Sequence, residues 1–242
     1  MNLIIDVGNT FIKLAVFHAD SLVHKDVIKA SRFSEALLKV NKTYPDITKC
    51  IVSSVGKFDK NLLLNLQKKV SVLHLTKATK VPFTNCYTTP ETLGVDRIAL
   101  VSAAAVQFSE KNVLIIDAGS CITYDFLTAE NKYLGGAISP GLQMRFKAMH
   151  TFTASLPLLE LKRIDFLLGN STENSMQVGV FKAVVNEIQG FITQYKQEYD
   201  DLTVILTGGD AEILLDSLKN DIFANSNFLL EGLHYILEHN KN

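Results

Sequence analysis

The sequence predicts an α/β protein made of two copies of one domain, each built on a mixed β-sheet. Residues 3–12 (LIIDVGNTFI) and 114–123 (LIIDAGSCIT) share an apolar run, pair Asp6 with Asp117 and pair Gly8 with Gly119, at an offset of 111 residues. That offset is nearly half of the 242 residues and far longer than a solenoid repeat, so it marks duplication of a whole domain. Each copy opens on a strand, a D-x-G turn and a second strand. Helices and strands then alternate, which is the pattern of α/β layers around a mixed sheet.

In the first half, strands are expected at residues 2–5, 11–17, 49–53 and 70–75. Phe33, Ala36, Leu37 and Val40 fall at helical spacing, and Asp59 is placed to cap a helix carrying Leu62, Leu63 and Leu66. The Ala-rich stretch 94–108 reads as a long helix. In the second half, strands fit 113–116, 122–127, 133–138 and 202–206. Gly135 and Gly136 read as a strand bulge, and Ser139 and Pro140 as the N-cap and first residue of a helix that buries Leu142, Phe146 and Met149. The longest helix is expected at 178–195, where Phe181, Val184, Val185, Ile188, Ile192 and Tyr195 share one face. No Gly/Ser/Pro linker separates the halves. The boundary is placed in the polar patch 110–112, giving domains 1–111 and 112–242 that pack closely and leave a cleft between the paired turns.

Composition narrows the function. With 47% hydrophobic residues and a formal net charge of −1, the chain is an ordinary globular protein with no block of like charge. Nothing points to a nucleic-acid groove or an anionic membrane surface. The N-terminal apolar run is broken at once by Asp6, so no signal-peptide core or bilayer span is expected, and a cytoplasmic location follows. Cys50, Cys86 and Cys121 are odd in number and far apart, which fits reduced, packed thiols rather than disulfides or a CxxC metal site. The six histidines show no HExxH or similar spacing.

The D-x-G turn is where chemistry enters. A glycine there lets backbone N–H groups approach an anion, Asn9 and Thr10 add short donors, and Lys13 adds a cation. Asp6 suits such a site when Mg²⁺ sits between it and the phosphates, because a hard cation takes one or two carboxylates plus water. One D-x-G alone also reads as a plain hairpin; two copies at a domain-sized offset favour phosphate binding. Residues 206–210 (LTGGD) end a strand and open a helix with Asp210 as N-cap, so Gly208 and Gly209 form either an ordinary turn or a close approach for a nucleotide's sugar or base. In GVDR, Asp96 and Arg97 sit in the first turn of a helix, where the dipole favours a negative charge. They form either a surface ion pair or an acceptor for a hydroxyl proton beside a cation for an acidic substrate. Neither a P-loop nor a dinucleotide fingerprint is present.

Duplicated D-x-G hairpins with a late TGG turn resemble the superfamily of acetate and sugar kinases, heat-shock chaperones and actin, which implies two ribonuclease-H-like domains with a nucleotide cleft between them. Within it, DVGNT, GVDR, DAGS, GGAISPG and LTGGD, in this order, resemble the type III pantothenate kinases along essentially the whole chain. That resemblance implies transfer of the γ-phosphate of ATP to the primary hydroxyl of pantothenate, the first step of coenzyme A synthesis, by a homodimer. Asp6, Val7, Gly8, Asn9, Thr10, Phe11, Ile12 and Lys13 then correspond to the first phosphate loop. Gly94, Val95, Asp96 and Arg97 correspond to the pantothenate motif, with Asp96 as proton acceptor and Arg97 beside the substrate. Tyr87 and Thr172 match substrate-contacting positions, the latter near the dimer interface. Asp117 matches the site of a monovalent cation, K⁺ or ammonium, and Ser120 an ATP-contacting hydroxyl. One departure stands out: the second turn reads DAGSC where D-x-G-T-A is usual.

Two other readings remain. One is a kinase of the same superfamily acting on another small hydroxylated substrate, since fold does not fix function. The other is a non-catalytic accessory factor in transcription, against which stand the near-neutral charge and the intact Asp6, Asp96 and Asp117.

Overall fold

A computed structural model describes residues 1–54, 64–218 and 221–241. The chain divides into two compact units, one of Met1–Gln107 with Asn227–Asn242 and one of Phe108–Ser226. In the first unit, β1 (Asn2–Val7), β2 (Ile12–His18) and β3 (Ser21–Ile28) are followed by α1 (Phe33–Thr43), β4 (Lys49–Ser54), α2 (Leu64–Gln67), β5 (Ser71–His74), the two-residue β6 (Thr84–Asn85) and α3 (Val95–Gln107). Its sheet runs β3-β2-β1-β4-β5. β1 pairs antiparallel with β2 and β2 with β3, whereas β1 pairs parallel with β4 and β4 with β5.

The second unit contains β7 (Val113–Ala118), β8 (Cys121–Leu127), β9 (Lys132–Pro140), α4 (Leu142–Phe152), α5 (Thr172–Glu198), β10 (Thr203–Thr207), α6 (Ala211–Leu215) and β11 (Phe223–Ala224). Its strands stand in the order β11-β10-β7-β8-β9 with the same directions. The duplication read from the two D-x-G segments is thus a duplication of one mixed, ribonuclease-H-like sheet.

All six residues of β1 are buried, and β7 is buried at all but Asp117. This is why both strands read as unbroken apolar runs and not as alternating patterns. In the first unit, Leu3, Ile5, Leu14 and Val16 pack against Phe33, Leu37 and Val40 of α1. In the second, Leu114, Ile116 and Tyr124 pack against Phe181, Val184, Ile188 and Ile192, the apolar face foreseen for α5. That helix is longer than its apolar stripe predicts, because Ser171 caps it by accepting a hydrogen bond from the Asn174 N–H at 3.2 Å.

Other elements depart from the sequence reading. The chain's last helix, α7 (Phe228–His239), was not anticipated, and it completes the first unit although it lies within the 112–242 segment. Leu229, Leu230, Leu233, Ile236 and Leu237 are all buried there. His234 stacks on Phe17 at 4.4 Å between ring centroids, and Asn2 donates from Nδ2 to Glu238 Oε1 at 2.5 Å. β3 was also missed, because its exposed face carries Val23 and Val27 while its more covered face carries His24 and Asp26, which blurs the period-two signal. Ser139 and Pro140 do not open α4. They end β9, paired with Ile122 and Cys121, and the N-cap is Gly141. The expected bulge is present as a register shift opposite Phe126 and Leu127, with Gly135 at φ +112°. Asp210 occupies the N-cap of α6 without a side-chain capping bond. Cys50 is buried and Cys121 half-buried, but Cys86 is exposed rather than packed. The expectation for Asp59, Leu62 and Leu63 lies outside the described residues. Among the described residues, no helix is long and apolar enough to cross a membrane.

Gly232 of α7 meets the backbone of α3: a Cβ added there would lie 1.9 Å from the Ala99 carbonyl oxygen. Helix propensity alone would make Gly232→Ala stabilising by up to about 1 kcal/mol. The clash reverses the sign, and a net loss of about 1–3 kcal/mol is expected in chemical denaturation. An unchanged or raised midpoint would show that the two helices separate without cost.

Candidate active site

At the carboxyl end of β1, Asp6 stands in register with Lys13 on β2 and Ser53 on β4. Adjacent register partners in a sheet present their side chains on the same face. Lys13 Nζ lies 3.5 Å from Asp6 Oδ2, and Asp6 is only 5% exposed. Burial pushes the Asp6 carboxyl above the ordinary carboxylate range. Lys13 and the Ser53 hydroxyl pull it back, and the negative charge of Asp96 adds to the rise. Ser53 is fully buried, with its hydroxyl beside the carboxylate. Beyond Asp6, the Gly8 N–H donates to the Phe11 carbonyl at 3.1 Å, closing the turn. Asn9, Thr10 and Phe11 are exposed on it. Val7 and Ile12 pair at its base with their side chains in the core, so they offer a ligand only backbone.

The GVDR residues reach the same part of the first unit. Asp96 lies in the first turn of α3, and its Oδ1 accepts a hydrogen bond from the Arg97 N–H at 2.9 Å. Arg97 is 5% exposed, and its guanidinium carbon sits 5.7 Å from the centroid of the Tyr87 ring, within range of a cation–π contact. Asp6, Lys13, Tyr87, Asp96 and Arg97 are thus linked by successive contacts and electrostatic interactions.

In the second unit, Asp117 repeats the placement of Asp6, in register with Thr123 on β8 and Thr207 on β10. Where Asp6 has a lysine beside it, Asp117 has Thr123, whose Oγ1 is buried with no hydrogen-bond partner among the described residues. The turn is one residue shorter, because Gly119 N–H donates to the Cys121 carbonyl at 3.0 Å. Cys121 thus takes the structural place of Phe11, and the ungapped alignment of the two turns slips by one after the glycine. Ser120 is exposed on this turn.

Two glycines from other elements hold the turn from behind. Gly208, after β10, has φ +98°, and a Cβ there would lie 2.2 Å from the Ala118 carbonyl oxygen and 2.5 Å from Asp117 Oδ1. Gly141, before α4, donates its N–H to the Ser120 carbonyl at 3.2 Å, and its Cβ would lie 2.0 Å from the Gly119 carbonyl oxygen. The Asp210 N–H donates to the Ala118 carbonyl at 2.9 Å, while burial pushes the Asp210 carboxyl up. Gly209 faces open space. Thr172 lies elsewhere in this unit, as the first residue of α5. It lines an open groove of about 590 Å³ with Met149, Leu156, Asn170 and Ser175, and no other residue expected to contact ligand lines that groove.

Ser53 and Gly141 escaped the sequence reading. Ser53 ends a predicted strand, but only the parallel pairing of β1 with β4 puts it beside Asp6. Gly141 was visible in the GGAISPG motif, yet reading Ser139 as the cap assigned it no role. Among the described residues, no group of three or more His, Cys, Asp or Glu side chains is placed to hold a metal ion.

This paired arrangement is the fold of the superfamily of sugar kinases and their relatives. It matches a glucokinase from an Antarctic psychrotroph (TM-score 0.51, 13% identity, 98% of each chain). It also matches the ADPNP-bound activator of 2-hydroxyisocaproyl-CoA dehydratase from Clostridium difficile (TM-score 0.56, 12% identity, 98% of this chain and 93% of that one). A Campylobacter jejuni protein assigned to the Baf family of transcriptional activators aligns at TM-score 0.64 with 23% identity and 98% coverage of both chains. These likenesses concern the fold. The sequence profile of the type III pantothenate kinases matches residues 2–194. The type III pantothenate kinase of Christiangramia forsetii is 54% identical over 241 residues, covering 100% of this chain and 99% of that one, and that of Flavobacterium johnsoniae is 46% identical over 96% of each. The chain belongs to the type III pantothenate kinase family.

The burial of Asp6 sets a sign for stability. With its folded pKa raised, the ionised carboxylate costs folding free energy above that pKa, and the cost disappears as pH falls below the unfolded value near 3.8. Asp6→Asn is therefore expected to melt higher than the natural protein at pH 7 and to lose that advantage in acid. A lower melting temperature at pH 7 would mean that the Lys13 pair outweighs the burial of the charge.

Proposed function

We propose that this protein phosphorylates pantothenate with ATP, the opening step of coenzyme A synthesis, and that Asp96 is its general base. The observation that carries the reading is the convergence of Asp6, Lys13, Tyr87, Asp96 and Arg97 in a chain that matches its pantothenate kinase relatives from end to end. Phosphoryl transfer asks for in-line positioning, neutralisation of phosphate charge and a carboxylate that orients the attacking hydroxyl. Asp96 accepts the proton of the primary hydroxyl as the oxygen attacks the γ-phosphorus, and ADP leaves. Arg97, steadied over Tyr87, holds the carboxylate of pantothenate.

Each D-x-G turn offers groups for phosphate: Asn9 and Thr10 with Lys13 after Gly8 in the first unit, and Ser120 in the second. Gly209, which faces open space, leaves room for the nucleoside, while Gly208 packs against the turn after β7. Asp6, with the buried Ser53 hydroxyl beside it, suits Mg²⁺ held partly through water. When bound there, the metal would supply charge neutralisation for the phosphates. Asp117, with the Thr123 hydroxyl where Asp6 has a lysine, suits a monovalent cation, K⁺ or ammonium. The protein acts as a homodimer in the cytoplasm, with Thr172 reaching substrate near the dimer interface; the open groove around Thr172 is consistent with that role.

Purified protein with Mg²⁺-ATP and KCl is expected to release ADP only when pantothenate is added, and more slowly when Na⁺ replaces K⁺. Pantothenate-independent release, or none from a folded sample, would turn the reading toward another hydroxylated substrate or a non-catalytic role. Asp96→Asn should lower kcat by about 10²–10⁴-fold with an unchanged circular dichroism spectrum. Full turnover in that variant would remove Asp96 from the chemistry.

A further inference from the structure

A polar cluster in the second unit has no part in the proposed chemistry. Glu187, on α5, accepts three hydrogen bonds from three different elements. Tyr124 of β8 donates from its hydroxyl to Oε1 at 2.9 Å, Ser139 of β9 donates from Oγ to the same oxygen at 2.5 Å, and Arg145 of α4 donates from Nη2 to Oε2 at 2.6 Å. Burial alone would push this carboxyl up, but the bonds from Arg145, Ser139 and Tyr124 outweigh it and hold Glu187 below the usual range. The glutamate is thus an anion fixed from several sides, and its side chain is 24% exposed.

What it holds leads to one place. Arg145 also donates from Nε to the Pro140 carbonyl at 2.9 Å and from its backbone N–H to the Gly141 carbonyl at 3.1 Å. Ser139 and Pro140 pair with Ile122 and Cys121, and Gly141 donates to the Ser120 carbonyl. Segment 139–141 is therefore clamped by Glu187 and Arg145 on one side and forms the back wall of the second D-x-G turn on the other. A half-buried ion pair contributes little net stability compared with apolar packing of similar size, because desolvation offsets its attraction. Its strength lies in geometry, since several charge-assisted bonds leave the segment one position.

We propose that Glu187 is a positioning residue for the second D-x-G turn, acting through Arg145, Ser139 and Gly141 to set the backbone against which the ATP phosphates rest. This rests on the reading of that turn as a phosphate site. Glu187→Gln keeps the volume but removes the charge on which Tyr124, Ser139 and Arg145 converge.

The test is steady-state kinetics of Glu187→Gln with each substrate varied, alongside Ser120→Ala. Loss of an outer-shell partner of this kind should raise KM for ATP about tenfold and leave KM for pantothenate within about twofold. A variant that melts lower with both constants unmoved, or one that shifts both alike, would make the cluster a general brace and overturn the proposal. If Glu187→Gln does not fold, Arg145→Lys is measured in its place, and its loss of the fixed guanidinium fork should give a smaller rise in the same constant. Should Ser120→Ala leave KM for ATP unchanged, the phosphate-site reading itself fails. Should Ser120→Ala raise it while Glu187→Gln does not, only the positioning role fails.

Discussion

The parallel ladder between β1 and β4, and its counterpart between β7 and β10, sets the height of Asp6 and Asp117, the two aspartates around which the candidate sites are built. Parallel strands end on the same edge of a sheet, so the segment after the first strand and the segment after the fourth emerge side by side. Register then does the rest. Asp6 stands beside Ser53, and Asp117 beside Thr207. A slip of one residue would turn each aspartate to the opposite face of its sheet, and the burial of β1 on both faces leaves no polar surroundings to receive it. The same ladder explains why the T-G-G residues behind β10 touch the turn behind β7, which no local motif could specify.

On this shared frame the two units have diverged in charge. The first gives its buried aspartate a lysine and a nearby second acid, while the second gives its aspartate hydroxyl neighbours and a turn one residue shorter. Identical backbone placement thus supports two different electrostatic sites. The first sets a lysine against the burial of a carboxylate, and burial prevails in raising its pKa. The second is a cradle of backbone carbonyls, hydroxyls and one acid, closed from behind by glycines that tolerate no side chain.

Much of this could be read from the chain alone. Long apolar runs before repeated D-x-G turns identify the central strands, and the spacing of Phe181 to Ile192 identifies α5, because these signals are local and strong. The features that went unread depend on distant partners. β3 is an edge strand whose faces mix valines with a histidine and an acid. α7 is buried only because α3 and the first sheet wait for it. Ser139 and Pro140 carry a respectable helix-start signature, yet pairing with β8 extends the strand through both and leaves Gly141 to begin the helix. Cys121 aligns with Thr10 in sequence, but the shorter turn moves it by one into the place of Phe11. The DVGNT and GVDR residues were legible because they are short motifs; Ser53 and Glu187 were not, because each is defined by what a separate strand or helix brings beside it.

The return of α7 to the first unit gives the chain an uneven order of completion. During synthesis the second unit, contiguous from Phe108 to Ser226, has all its residues before the first has its last helix. Until residues 228–239 emerge, α3 and the β1 edge that bears Asn2 lack the helix that covers them, and the bonds from Asn2 to His234 and Glu238 span more than 230 residues. Closing so long a loop comes late in folding. The aspartate at the end of β1 thus belongs to a unit that is finished only after the second, so a nascent chain holds an apolar surface open while all of residues 108–226 are made.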